Sequence, residues 1–126
     1  MEPEQVVDEF IRRVTARDVD GACEFLHPDV EYDNVPVGKN IGIDAVKSFL
    51  GPMVTGIDET EWVVHRQTVT GNVVMNERSD RFRIGENWME LPVAGVFEVD
   101  AGGRITLWRD YFDMATFNDE MAKLIS

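Results

Sequence analysis

The chain predicts an α+β fold, with helices first and a long run of strands after them. Two observations carry that expectation. Over the first fourteen residues apolar side chains recur every three or four positions, whereas from Glu61 onward they alternate at every second one. A third observation sets the shape: the period-two segments are divided only by short turn-like separators, so they are read as neighbours in one sheet. A strongly curved mixed or antiparallel sheet wrapped over the N-terminal helices makes a cone-shaped roll with a pocket inside. Residues 1–126 are read as one domain, long enough to bury a core.

Each element has its own signal. Pro3 suits a first helical turn, and Val6, Val7, Phe10, Ile11 and Val14 form one apolar stripe. Asp18 to Gly21 breaks that helix, and Gly21 to Leu26 reads as a short second one, ended by His27-Pro28. Val30 to Val35 has strand character. Asp44 is the expected N-cap of a third helix, with Ala45, Val46, Phe49 and Leu50 inward and Gly51-Pro52 weakening or ending it. Strands are expected near Glu61–Thr70, Val73–Ile84, Trp88–Val99 and Arg104–Phe112, separated by Gly71-Asn72, Gly85-Glu86-Asn87 and Asp100-Ala101-Gly102-Gly103. Pro92 suggests an edge position or a bulge. Met114 to Ile125 reads as a closing helix with Phe117, Met121 and Leu124 inward.

Composition narrows the function classes. Twelve Lys and Arg against 24 Asp and Glu give a formal charge of −12, the wrong field for nucleic acid or an anionic membrane surface. No apolar run approaches the ~20 residues of a transmembrane helix, and the first residues do not read as a signal peptide. With Cys23 the only cysteine, no intrachain disulfide is possible, and a cytoplasmic setting is expected. His27 and His65 are far apart, no zinc-ligand spacing occurs, and no phosphate-cradling glycine motif or nucleophile elbow is present. No metal or organic cofactor is therefore expected.

The informative residues are polar ones in the wrong place. Residues i and i+2 of a strand point the same way, so Tyr32 with Asn34, and Arg78 with Asp80, project together into one interior. Asp110, between Trp108 and Phe112, joins them. Two carboxylates, a guanidinium, a phenol and an amide in an apolar pocket are costly without mutual pairing, and together they suit acid–base work on a small neutral substrate. The plain alternatives are a solvated Arg78–Asp80 pair, a turn built by Tyr32 and Asn34 ahead of Pro36, and an Asp110 paired with Arg109 or Arg104 at a sheet rim. Strand phase argues against the first, because Val74 and Phe82 share the face of Arg78 and Asp80. His27 reads as a turn residue, His65 as surface, Cys23 as packing, and the tryptophans as core. Val35, Phe82, Leu91, Val93, Phe112 and Phe117 are the expected pocket walls.

At Tyr32-Asp33-Asn34-Val35-Pro36, Glu77-Arg78-Ser79-Asp80, Gly95-Val96-Phe97 and Ile105-Thr106-Leu107-Trp108-Arg109-Asp110-Tyr111-Phe112-Asp113 the chain resembles the limonene-1,2-epoxide hydrolase family, within the nuclear-transport-factor-two-like superfamily. The last segment is the most specific. The resemblance implies that Tyr32, Asn34, Arg78, Asp80 and Asp110 fall on the family's five catalytic positions and that the protein is a homodimer. It also implies hydrolysis of an apolar epoxide of terpene, lipid or steroid kind to a vicinal diol. Asp110 is then the base, Asp80 the acid, and Arg78 the bridge between them. Two rivals share the cone: an isomerase or cyclase of the ketosteroid-isomerase or polyketide-cyclase kind, and a ligand-binding dimer without catalysis.

Overall fold

In the computed structural model, which describes all residues 1–126, the helices α1 (Pro3–Thr15), α2 (Val19–Cys23) and α3 (Ile43–Thr55) lie against one end of a six-stranded sheet. The strands are β1 (Leu26–Asn34), β2 (Gly38–Ile41), β3 (Glu59–Thr70), β4 (Val73–Ile84), β5 (Asn87–Val99) and β6 (Ile105–Tyr111), and α4 (Met114–Leu124) closes the other end. Their order across the sheet is β2-β1-β6-β5-β4-β3, antiparallel throughout except for the parallel pair β1–β6. The expected α+β roll with a mixed sheet is the observed fold.

Local chemistry explains the helix ends. Gln5 accepts a hydrogen bond from the Glu2 backbone N–H at 2.8 Å beside Pro3. Asp18 caps α2 by accepting from the Gly21 N–H at 2.9 Å. Asp113 does the same for α4 from Thr116 at 2.9 Å. The apolar stripe of α1 is the stripe the sequence indicates: Val6, Val7, Phe10, Ile11 and Val14 are all buried. They join Leu26, Val30, Leu50, Phe97, Ile105 and Trp108 in a core of 19 buried residues under the α1–α3 end of the sheet.

Several expectations are corrected. Gly42, not Asp44, is the residue preceding α3, and Asp44 sits in its first turn. The helix also runs through Gly51-Pro52 to Thr55. Pro52 frees the carbonyl of Ser48, but both residues are exposed, so water can satisfy it. The short strand β2 was not expected, since its four residues are largely exposed and carry no alternation; only backbone pairing to β1 defines it. The second helix lies earlier than expected, at Val19–Cys23 rather than Gly21 to Leu26, and β1 starts at Leu26 rather than Val30. Pro92 makes no bulge, because the β4–β5 register is unbroken from Val73↔Glu98 to Ile84↔Asn87. It does lie at a local edge: β6 pairing ends at Ala94↔Tyr111, and the Glu90 N–H on the same side bonds Glu120 at 2.9 Å.

Candidate active site

Register brings the polar residues together. Parallel pairing sets Tyr32 beside Trp108 and Asn34 beside Asp110. Across the sheet, Asp110 of β6, Gly95 of β5 and Asn76 of β4 form one row, with Arg78 and Asp80 following on β4. All five polar residues singled out from the sequence are 5% exposed or less.

Arg78 organises the cluster. Its Nε and Nη2 donate to the two oxygens of Asp80 at 3.0 and 3.1 Å, a bidentate fork. Nη2 also lies 3.1 Å from Asp110 Oδ2, which accepts from the Trp108 indole N–H at 3.1 Å. Nη1 donates to Asn76 Oδ1 at 3.0 Å. The guanidinium carbon stands 5.0 Å from the Trp62 ring and 6.0 Å from that of Phe97, so aromatic faces cover the cation where no oxygen reaches it. It crosses β5 only because Gly95 has no side chain: a Cβ there would stand 2.3 Å from Nη1 and 2.9 Å from Asn76 Oδ1.

The remaining partners hold the aromatic floor. Tyr32 stacks on Trp108 with ring centroids 3.7 Å apart, and Phe10 of α1 meets the same indole edge-on at 5.0 Å. Asp110 Oδ1 is buried without a hydrogen bond from the protein, which leaves its lone pairs for a water or a substrate. The Trp62 indole N–H is likewise buried without a partner.

Electrostatics follow from burial. Burial, opposed by Arg78 and reinforced by Asp80, raises Asp110 from 3.8 to about 6. Burial alone would lower Arg78, but the Asp110 and Asp80 carboxylates outweigh it and hold its pKa above the usual value. Burial and then Asp110 push the Tyr32 phenol up, against the hydrogen bond with Asn34, so its hydroxyl stays protonated. One cation beside two carboxylates leaves a buried net charge of −1 unless the pair holds a proton. Sharing one makes the cluster neutral.

The cluster faces a cavity of about 200 Å3. Phe82, Leu91 and Val93 from the sheet, with Phe112 and Phe117, line it. Val35 does not. It is 45% exposed and falls out of phase with Tyr32 and Asn34, whereas Val37 returns over the cavity after the turn in which its N–H bonds Asn34 O at 2.8 Å. Phe49 and Met53 of α3, Met114 of α4 and Trp62 of β3 complete the wall. Sequence reasoning missed Asn76 and Trp62. Asn76 had a legible signal, since it is the third polar residue in phase with Arg78 and Asp80. It is held in turn: its Nδ2 donates to Gln67 at 3.1 Å, and Gln67 donates to Asp8 of α1 at 2.9 Å. His27, His65 and Cys23 lie away from the cavity, and no three His, Cys, Asp or Glu side chains are grouped to hold a metal ion.

Comparison with known proteins gives the family. The family model for the limonene-1,2-epoxide hydrolase catalytic domain matches residues 1–123. Epoxide hydrolase EphG of Mycobacterium tuberculosis (strain ATCC 25618 / H37Rv) is 38% identical over 108 residues, 86% of this chain and 71% of that one. The solved structure of an M. tuberculosis LEH-like epoxide hydrolase superposes with a TM-score of 0.82 at 35% identity, covering 96% of this chain and 90% of that one. A putative SnoaL-like polyketide cyclase from Shewanella denitrificans OS-217 superposes at 0.85 over 95% and 96% of the two chains, but at 19% identity that likeness speaks for the fold alone. The chain belongs to the limonene-1,2-epoxide hydrolase family and is an epoxide hydrolase.

Proposed function

We propose that this protein opens an apolar epoxide to a vicinal diol in one step, with Asp110 as base and Asp80 as acid. The observation that carries the reading is one guanidinium, Arg78, gripping both carboxylates at the wall of an otherwise apolar cavity. Opening the ring requires one proton removed from water and one given to the departing oxygen. A carboxylate pair holding one proton, in a cluster that the Arg78 cation makes neutral, supplies both.

Tyr32 donates its O–H to the attacking water, and Asn34 Oδ1 together with Asp110 Oδ1 accepts the water's two hydrogens. As Asp110 takes its proton, the water oxygen bonds to an epoxide carbon and the C–O bond on the far side breaks. The electron pair goes to the oxygen, which takes the proton of Asp80. Asp110 then holds a proton and Asp80 lacks one. Return of that proton across the pair resets the site without change in net charge. The lining favours a substrate that is hydrocarbon apart from the epoxide, of terpene, lipid or steroid kind.

The same reading includes a homodimer through the convex sheet face, where Val63, Met75 and Tyr111 are exposed at 39%, 48% and 47%. A cytoplasmic setting fits the single buried cysteine. No helix is long and apolar enough to cross a membrane.

Diol formation from terpene, cyclohexene, styrene, fatty-acid and steroid epoxides, with chelator present and Asp110→Asn and Asp80→Asn alongside, tests the chemistry. Turnover lost in both variants is the expected result. Turnover surviving Asp110→Asn, or none on any epoxide from folded protein, contradicts it.

A further inference from the structure

A second cavity of about 320 Å3 lies beyond the first, between the ends of β4, β5 and α3 and the face of α4. Three residues, Met53, Phe82 and Phe117, line both and form the partition between them. None of the ten residues around the second cavity has a polar side chain. We propose that this cavity receives the hydrocarbon tail of the substrate, so that the preferred epoxides are long-chain aliphatic ones with the epoxide near one end.

Strand geometry aligns the two spaces. Along the inner face of β4 the sequence runs Arg78, Asp80, Phe82, Ile84, that is, from catalytic cluster through partition to second cavity. On β5 the same walk runs Val93 and Leu91 in the first cavity, then Met89 in the second. At ~3.4 Å per residue, Ile84 lies about 14 Å beyond Asp80. That axis suits an extended chain whose reactive end faces the carboxylates. The first cavity, at about 200 Å3, is smaller than the ~300–1,000 Å3 usual for small-molecule sites, and the second supplies the room it lacks.

The partition can yield. Met53 is an unbranched, adaptable side chain. Phe117 of α4 is half-buried, with its ring centroid 5.7 Å from that of Phe112. With no donor or acceptor behind the partition, a charged or hydroxylated tail would be desolvated without compensation, whereas a hydrocarbon tail gains with every methylene that passes.

This inference rests on the epoxide-hydrolase reading of the first cavity, and the test separates the two. Diol formation is measured for 1,2-epoxyalkanes from six to fourteen carbons, with wild type and with Met121→Trp and Ile84→Trp, which fill the second cavity from its half-buried and exposed sides. In wild type, kcat/KM should rise roughly fourfold per methylene once the chain reaches the partition. In the filled variants, the ratio of long-chain to six-carbon kcat/KM should collapse toward one, each variant's six-carbon rate being its own reference. A wild-type profile flat or falling with chain length, or a ratio unaltered by filling, overturns the inference while leaving the hydrolase reading in place. If no epoxide is turned over, calorimetric binding of decane-1,2-diol against hexane-1,2-diol decides the cavity alone. Tighter binding of the longer diol that is lost in Met121→Trp supports it, and equal affinity overturns it.

Discussion

The two ends of the inner sheet face are built differently. Under α1, α2 and α3 the sheet covers a filled core of 19 buried residues, with Phe10, Val14, Leu26, Phe97 and Trp108 wholly inaccessible. Under α4 only six residues are buried, and Met53, Phe112, Phe117 and Met121 are half-buried around two cavities. The filled end supplies rigidity and the hollow end supplies capacity. The proposed catalytic cluster sits at the seam, and Trp108 is the joint: Phe10 packs its edge, Tyr32 its face, and its N–H holds Asp110. A site of this kind needs its groups held closely while its substrate space stays open, and no uniformly packed interior provides both.

The largest expected effect strikes the seam itself. Asp110→Asn should reduce kcat by about 10³-fold or more while circular dichroism remains that of the folded protein. Next, the two ends should respond unequally to the same truncation. Phe10→Ala should cost about 3–5 kcal/mol in denaturant unfolding and also lower kcat by loosening Trp108, whereas Phe117→Ala should cost less than about 2 kcal/mol. Equal losses at both ends would break the comparison. Gly95→Ala should cost kcat about tenfold to a hundredfold, because its Cβ displaces Arg78 from between the carboxylates, and should alter KM much less.

Proton linkage gives smaller, sharper tests. Asp110 binds its proton more tightly folded than unfolded. Its contribution to stability is therefore fully present below about 3.8 and is lost as pH rises through about 6. Unfolding free energy should show that fall between those values, and Asp110→Asn should flatten it. The one-proton pair is likewise kept up to about pH 6 in the free enzyme, so kcat/KM should be bell-shaped with its alkaline decline setting in near there. Trp108→Phe keeps the stacking but removes a hydrogen bond that lowers the Asp110 pKa, so both features should move up by about half a unit to one.

Much of the fold was legible because α1 and the long strands bury one regular face each. Where periodicity was absent the sequence was mute: β2 is exposed and held by backbone alone, and the parallel pairing of β1 with β6 has no signature in side chains. At the site, strand phase placed Tyr32, Asn34, Arg78, Asp80 and Asp110 inward, because phase survives errors of a few residues in strand ends. It failed at Val35, where a turn ends the alternation and Val37 takes the wall position. A bridge from Arg78 to two aspartates is expected from the sequence, but its route through the gap left by Gly95 depends on three strands coming into register and could not be read along the chain.

The most direct test of direct water attack by the Asp110–Asp80 pair is a single turnover in H2(18)O with enzyme in excess over a turned-over epoxide. One-step hydrolysis puts (18)O into the diol of the first turnover and none into the protein, and Asp110→Asn forms no labelled diol. A first-turnover diol free of (18)O, with (18)O found in an aspartate afterwards, would mean a covalent ester on the enzyme and would contradict the account.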